Sequence, residues 1–306
     1  MYEVDPKLIW WNGAVVPWQD AQVHVTSETA LRGLNVFEGI RGYWRPGQCC
    51  HAVVSLTAHL ERLGDSARLL HIPHDGLIPM MRQGISELLD ALSPCGDVYL
   101  RPTLYLETGR YSSARDTVST GAFIACHATD PTSDHSMTCV VSSYQRIPEA
   151  ALSTLAKNGA AYTAFRLARL EALRAGADEA ILLNARGTVA ETAGASVFAV
   201  RRGRLVTPPL ADGVLDSLTR ATVIKLAWAV LSLTVEERSL SRSEIYTADE
   251  VFVTGTLDEV RLVASIDGHV PRDRAAPVGS ALRSAYRAMC VGQRPPLDAA
   301  FVELLP

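Results

Sequence analysis

The sequence predicts an α+β protein of two domains. Its 306 residues suffice for one large domain or two ordinary ones. Its 48% hydrophobic and 20% charged residues are the proportions of a soluble globular protein. A mixed strand and helix pattern is interrupted by "HATDPTSDHSM", which is rich in Pro, Ser, Thr and Asp and has no apolar period. We read that stretch as a linker. The expected division is a small N-terminal α/β domain at 1–126, an interdomain linker at 127–136 and a larger C-terminal domain at 137–306.

In chain order, "LIWWNGAVVP" reads as a hairpin around Asn12-Gly13, a strong type I′ turn signal. "SLTAHLERLGDSARLLHI" reads as a helix with Ser55 or Thr57 as cap, an apolar stripe of Leu56, Leu60, Leu63, Ala67 and Leu70, and a stop at Pro73. A second helix is expected from about Gly76 to Leu92, and "DVYLRPTLYLET" and "GAFIACHA" are strand-like. After the linker, "TCVVSSY" is a strand. Leu167, Leu170 and Leu173, with the alanines between them, predict a helix closed by Gly176. "DEAILLN" and "TVAETAGASVFAV" read as strands, "RRGR" as a turn, "SLTRATVIKLAWAVL" as a helix, "DEVFVTGT" as a strand and "VGSALRSAYRAMC" as a last helix.

Composition narrows the chemistry. A net charge of −4 with no block of like charge gives nucleic-acid binding no electrostatic support. "MYEVDPK" is acidic and lacks the apolar core of a leader, and "LAWAVLSLTV" is far too short to span a membrane. We expect no membrane association and a cytoplasmic location. The six cysteines lack CxxC spacing and read as idle thiols in a reducing compartment. No GxxxxGK[ST], GxGxxG, HExxH or GxSxG occurs, and the eight histidines are scattered, so no metal site is expected.

Lysine is rare here: of 29 basic residues only Lys7, Lys157 and Lys225 are lysine. A neutral amine can form a Schiff base with a carbonyl, whereas a guanidinium stays protonated. An exposed or snorkelling side chain is the plainer reading of Lys157 taken alone. Two features add to it. Glu191 in "VAETAG" has apolar neighbours, where an ionised acid needs a partner such as a protonated pyridine nitrogen. "DSLTRATVIKLA" opens a helix with Asp216, Ser217 and Thr219 in its first turn, a place suited to a phosphate. The alternatives are a surface strand position for Glu191 and an ordinary cap for Asp216 or Ser217. Taken together, the three features are what pyridoxal 5′-phosphate requires.

At this point the chain resembles the branched-chain aminotransferase group of class IV, fold type IV, pyridoxal phosphate enzymes. The likeness runs from about Ile9 to about Gly292. It is carried by "VFEGIRGY" (Val36–Tyr43), "HLERLGDSARLL" (His59–Leu70), "YLRPTLY" (Tyr99–Tyr105) and "AKNGAAY" (Ala156–Tyr162), then "GADEAILLN", "VAETAGASVF", "LTRATVIKLA" and "ADEVFVTGTLDEV". It implies a small α/β domain and a larger domain with a β-barrel-like core. It also implies roles. Lys157 matches the lysine that bonds the cofactor and shuttles the proton between Cα and C4′. Glu191 matches the pyridine-nitrogen partner, Tyr162 the tyrosine near the phenolic oxygen and Arg62 a phosphate-binding arginine. Leu218 and Thr219 match backbone donors to the phosphate, and Thr256 adds a hydroxyl. Tyr99 and Arg101 match substrate-facing residues that help hold carboxylates, and the "GTLD" turn with Leu257 matches the binder of the α-carboxylate. Gly39 is placed at the substrate by the same likeness. A homodimer or higher oligomer is implied.

The departures concern substrate. Arg32 stands where branched-chain enzymes usually carry a pocket tyrosine, and it either meets a polar group on the substrate or turns to solvent. Asp216 and Ser217 replace a common proline and glycine, and Ser196 an asparagine. The expected activity is transfer of an amino group from an L-amino acid, branched-chain-like or more polar, to a 2-oxo acid such as 2-oxoglutarate. The alternative is a lyase of the aminodeoxychorismate type, which uses the same cofactor.

Overall fold

The computed structural model describes residues 6–108 and 118–306. The N-terminal stretch read above for a leader falls mostly on residues 1–5, outside the described ones. In chain order the elements are β1 (Leu8–Trp11), β2 (Ala14–Pro17), α1 (Glu28–Arg32), β3 (Asn35–Phe37), β4 (Ile40–Arg45), β5 (Cys50–Val54), α2 (Leu56–Leu69), α3 (Leu77–Leu92), β6 (Val98–Thr108), β7 (Ser119–Ala128) and β8 (Met137–Gln145). Then come α4 (Tyr162–Arg174), β9 (Glu179–Leu183), β10 (Val189–Thr192), β11 (Ser196–Arg201), β12 (Arg204–Thr207), α5 (Leu218–Leu231), β13 (Val235–Glu237), α6 (Arg242–Tyr246), β14 (Glu250–Gly255), β15 (Glu259–Ile266), α7 (Pro277–Cys290) and β16 (Val302–Leu305).

Two compact units result: Met1–Pro131 with Ala156–Ala160 and Asp298–Pro306, and Thr132–Leu155 with Ala161–Leu297. The sequence reading places all of 137–306 in one domain. Residues Ala156–Ala160 and Asp298–Pro306 group instead with the first unit, because Asn158 bridges to Val36 and β16 pairs antiparallel with β5. His127 and Ala128, assigned to the linker, still belong to β7.

The first unit is a sheet in the order β16-β5-β4-β6-β7-β1-β2, with β3 also pairing β6. Its opening hairpin turns through Asn12 (φ 46°) and Gly13 (φ 102°), the two positive φ values a type I′ turn needs. Leu56, Leu60, Leu63 and Ala67 of α2 and Met81, Ile85, Leu88 and Leu89 of α3 bury against Ile40, Leu100 and Leu104 of the sheet. The α2 cap differs from the expectation. Ser55 lies at φ 51° and makes no side-chain cap. The Glu303 carboxylate of β16 accepts from the Thr57 N–H (3.1 Å) and hydroxyl (2.8 Å), supplying from the far end of the chain the anion that a helix start favours.

In the second unit the strands β10-β9-β8-β15-β14-β11 follow one another, and β10 pairs β11, closing a six-stranded barrel; β12 and β13 extend from β11. Val197, Ala199, Val251 and Val253 fill one face with Ile181 and Val189. Because successive strand residues point to opposite faces, Phe198 and Phe252 stack on the other, 5.2 Å apart, where Gly279 of α7 lets the helix approach. The helix expected from Leu167, Leu170 and Leu173 is α4, but Leu167 and Leu173 are exposed at 38% and 54%. The buried stripe is Phe165, Ala168 and Ala172, spaced i, i+3, i+7, against Ala180 and Leu182. The small alanines, not the leucines, face the sheet. Among the described residues no helix is long and apolar enough to cross a membrane, and no cluster of three or more metal-ligating side chains is present.

Candidate active site

Of the residues singled out above, Lys157, Arg62, Arg32, Tyr99, Arg101 and Gly39 lie in the first unit. Tyr162, Glu191, Leu218, Thr219, Thr256 and Leu257 lie in the second.

In the first unit the Lys157 segment is fastened to β3. The Phe37 N–H donates to the Lys157 carbonyl (3.1 Å), and the Gly159 N–H to the Asn35 carbonyl (3.1 Å). The Lys157 N–H donates to the Ser66 hydroxyl (3.1 Å). A Cβ at Gly159 would fall 2.6 Å from Asn35 Oδ1, so a larger residue there would have to displace the Asn35 side-chain amide. Lys157 Nζ ends 5.2 Å from the centroid of the Phe37 ring. The sheet's two faces are chemically distinct by alternation: Val36, Leu100 and Leu104 enter the core, while Phe37, Tyr99 and Arg101 point the other way. On that second face the Arg101 guanidinium lies over Phe37 at 3.8 Å and, among the described residues, hydrogen-bonds to nothing. Tyr99 lies so close to Gly39 that a Cβ there would sit 2.3 Å from its hydroxyl.

Arg62 is held by Glu38. Nε and Nη2 each reach a carboxylate oxygen at 2.7 Å, and His59 Nδ1 lies 2.7 Å from the same carboxylate. Burial would raise the Glu38 pKa, but the Arg62 guanidinium and His59 outweigh it and hold the carboxyl well below the usual range. His59 is pushed down, by burial first, with Glu38 opposing. Glu38 sits inside the quoted "VFEGIRGY", yet sequence reasoning gave it no part; its signal was a lone acid among apolar strand residues.

Arg32 closes α1, which is capped by Ser27 at its start and by Gly33 in the left-handed region at its end. Its guanidinium pairs at 2.7 Å with the buried carboxylate of Glu28 while its own side chain stays about half exposed, at 49%.

In the second unit Glu191 is buried, as its neighbours suggested. Its Oε1 accepts from Arg146 Nε at 2.6 Å and its Oε2 from the Leu215 N–H at 3.2 Å. Arg146, equally buried, lies 5.0 Å from the Phe165 ring centroid. Sequence reasoning missed it: it is one arginine among many, just after β8. Glu191 faces Ser196 across the β10–β11 pair, and Ser196 faces Thr254 across β11–β14. The hydroxyls of Ser196 and Thr254 are buried and, among the described residues, have no hydrogen-bond partner. Ser217 caps α5 by accepting from the Arg220 N–H (3.3 Å), the plainer of the two roles considered for it. Leu218 and Thr219 form the first turn beyond it. Thr256 and Leu257 occupy the turn between β14 and β15, and Tyr162 opens α4 edge-on to Phe165 at 5.2 Å.

Chemically, the first unit offers an amine on a fixed backbone and, over the same Phe37 ring, a guanidinium without a hydrogen bond among the described residues. The second offers a buried carboxylate, two hydroxyls without a partner among the described residues and a helix N-terminus suited to an anion.

Comparison with known proteins agrees in kind. A family model described as amino-transferase class IV matches residues 35–266. A branched-chain-amino-acid aminotransferase of Salmonella typhimurium is 35% identical over 305 residues, covering 93% of each protein. The crystal structure of the branched-chain amino acid aminotransferase of Thermobaculum terrenum in its PLP form superposes with a TM-score of 0.92 at 36% identity, covering 99% of each chain. That of the branched-chain aminotransferase of the thermophilic archaeon Thermoproteus uzoniensis with norvaline superposes with a TM-score of 0.91 at 32% identity, covering 97% of this chain and 98% of the other.

Proposed function

The chain belongs to the class IV aminotransferases and is a pyridoxal phosphate-dependent aminotransferase of fold type IV, and from that premise we propose that Lys157 is its catalytic amine and Glu191 the partner of the cofactor ring nitrogen. The observation that carries this is the fastening of the Lys157 carbonyl and the two residues after it to β3, with the Lys157 N–H held by the Ser66 hydroxyl of α2, which leaves Nζ as the moving part.

The residues present suit the cofactor. Two buried hydroxyls without partners among the described residues, Ser196 and Thr254, lie beside Glu191 in adjoining strands, so the environment suits a polar group. When bound, pyridoxal phosphate supplies an aldehyde and a ring that takes up the electron pair left at Cα. Lys157 Nζ can lose its own proton, take the one from the substrate Cα and return it. Glu191 holds a proton on the ring nitrogen, and Arg146 with the Leu215 N–H fixes the direction of its carboxylate. Leu218 and Thr219 offer backbone N–H groups to the phosphate, Thr256 a hydroxyl, and Arg62 a guanidinium that Glu38 positions. Tyr162 is assigned to the phenolic oxygen. Arg101, half-buried and without a hydrogen bond among the described residues, suits a substrate carboxylate, with Tyr99, Gly39 and Leu257 as further substrate contacts.

The donor is an L-amino acid and the acceptor a 2-oxo acid, 2-oxoglutarate being favoured by Arg101. The Glu28–Arg32 pair makes α1 more polar than a tyrosine would, which argues for a donor less strictly aliphatic than leucine, isoleucine or valine. We assign the enzyme to the cytoplasm, as a homodimer or higher homo-oligomer. The lyase alternative is not favoured, since the relative and both structures above carry aminotransferase names. The test is incubation of the holoenzyme with a panel of L-amino acids and 2-oxoglutarate. Glutamate formation is expected; pyruvate release from aminodeoxychorismate without it would overturn the reading.

A further inference from the structure

In the first unit the Lys157 segment lies between the end of α1 and the start of β3, and one side chain fills the gap. Asn35 opens β3 and is half-buried. Its backbone carbonyl accepts from the Gly159 N–H at 3.1 Å, and its Nδ2 donates to the Gly33 carbonyl at 3.3 Å. Gly33 is the left-handed C-cap of α1. A Cβ on it would sit 3.6 Å from the Ala160 N, in ordinary contact, so the helix end rests on the same segment. At Gly159 the fit is tighter. A Cβ there would meet Oδ1, Nδ2 and Cγ of Asn35 first, at 2.6, 2.7 and 3.0 Å. Gly159 does not lie at positive φ, so left-handed backbone is not the reason for glycine at this position. The reason is the Asn35 amide, which occupies the place of a Cβ.

We infer that Asn35 is a positioning residue for the reaction: its amide, held by Gly33, seats Gly159 and so sets where Lys157 stands. Asn158, only 1% exposed, bridges to Val36, and the Lys157 carbonyl accepts from the Phe37 N–H. The stretch from Lys157 to Gly159 is therefore packed and bonded as one piece, and a shift at one end is passed to the other. A displaced amide loses its bond to Gly33 and no longer supports the segment. Misplacing a reacting group by about 1 Å can cost about a hundredfold in rate. The inference rests on Lys157 being the catalytic amine, as proposed above.

The experiment is a double-mutant cycle of Asn35→Ala and Gly159→Ala, read in two ways. In the holoenzyme, with a good donor from the panel above, each single variant is expected to lower kcat about tenfold with KM changed about twofold or less. The double variant is expected to be no slower than Asn35→Ala alone, because the atoms that the new Cβ would strike are gone. Denaturant midpoints of the cofactor-free proteins are expected to show the same non-additivity. An unaltered kcat in Asn35→Ala, or losses in kcat that add, would overturn the inference. If Gly159→Ala does not fold alone, the double variant decides: a folded protein with the kcat of Asn35→Ala supports the inference, and an unfolded one overturns it. Non-additive midpoints with additive losses in kcat overturn the positioning role when the phosphopyridoxyl group maps to Lys157. The same group on Lys7 or Lys225 overturns the catalytic reading itself, so the two failures are told apart.

Discussion

Arg146 Nε and Glu191 Oε1 lie 2.6 Å apart, with both side chains buried. The pair shows how this unit can hold a charge away from solvent. A lone buried carboxylate is strongly disfavoured; a paired one is tolerated and directed. Removal of the base alone is therefore more damaging than the net worth of the pair.

Arg146→Ala is expected to destabilise the cofactor-free protein by about 3–5 kcal/mol, the usual penalty for stranding a buried charge. Double substitution with Glu191→Gln should recover much of the loss. Denaturant midpoints of the three variants check this. A loss below about 1 kcal/mol would show that the pair is solvated.

The Glu38–Arg62–His59 cluster gives a pH signature. His59 is depressed in the folded protein, so the unfolded chain binds its proton first on acidification. Its stabilising effect is complete above the ordinary imidazole range and declines as pH falls through it. Glu38 is depressed too, so its contribution is present above the ordinary carboxylate range and fades only at lower pH. His59→Gln should flatten the decline in stability between neutral and mildly acidic pH while leaving the steeper acid limb. An unchanged slope in a pH series of unfolding curves would count against a neutral buried imidazole.

Glu303→Ala removes the carboxylate that caps α2 from β16. A loss of about 1 kcal/mol is expected, typical of a helix cap. Thr57→Ala should remove only the hydroxyl contact and lose less. Equal losses in thermal melts would mean that the main-chain bond carries nothing.

Arg32→Tyr should move donor preference toward leucine, isoleucine and valine by removing the pair with Glu28. The readout is the ratio of kcat/KM for leucine to that for a hydroxyl- or carboxyl-bearing donor. A constant ratio would place the guanidinium outside the substrate's reach.

Local signals were legible in the sequence. The Asn12-Gly13 turn follows from the φ values those residues tolerate, and the α2 stripe from its 3.6-residue period. Lys157 stood out because an amine differs in kind from a guanidinium, and Glu191 because acids are rare among apolar neighbours. What was not legible depends on distant partners. No pattern near Thr57 announces Glu303, nearly 250 residues away, and none near Glu191 announces Arg146. On α4 the leucines announced the helix but not its buried face, because the alanines fit against the sheet there. The role of Glu38 emerges only once α2 brings Arg62 and His59 to it.

The central claim is that Lys157, and neither of the other two lysines, carries the cofactor. Borohydride reduction of the holoenzyme, proteolysis and mass spectrometry of the peptides test it most directly. A phosphopyridoxyl group on the peptide containing Lys157 is the expected result. The same group on Lys7 or Lys225, with Lys157 unmodified, would contradict it.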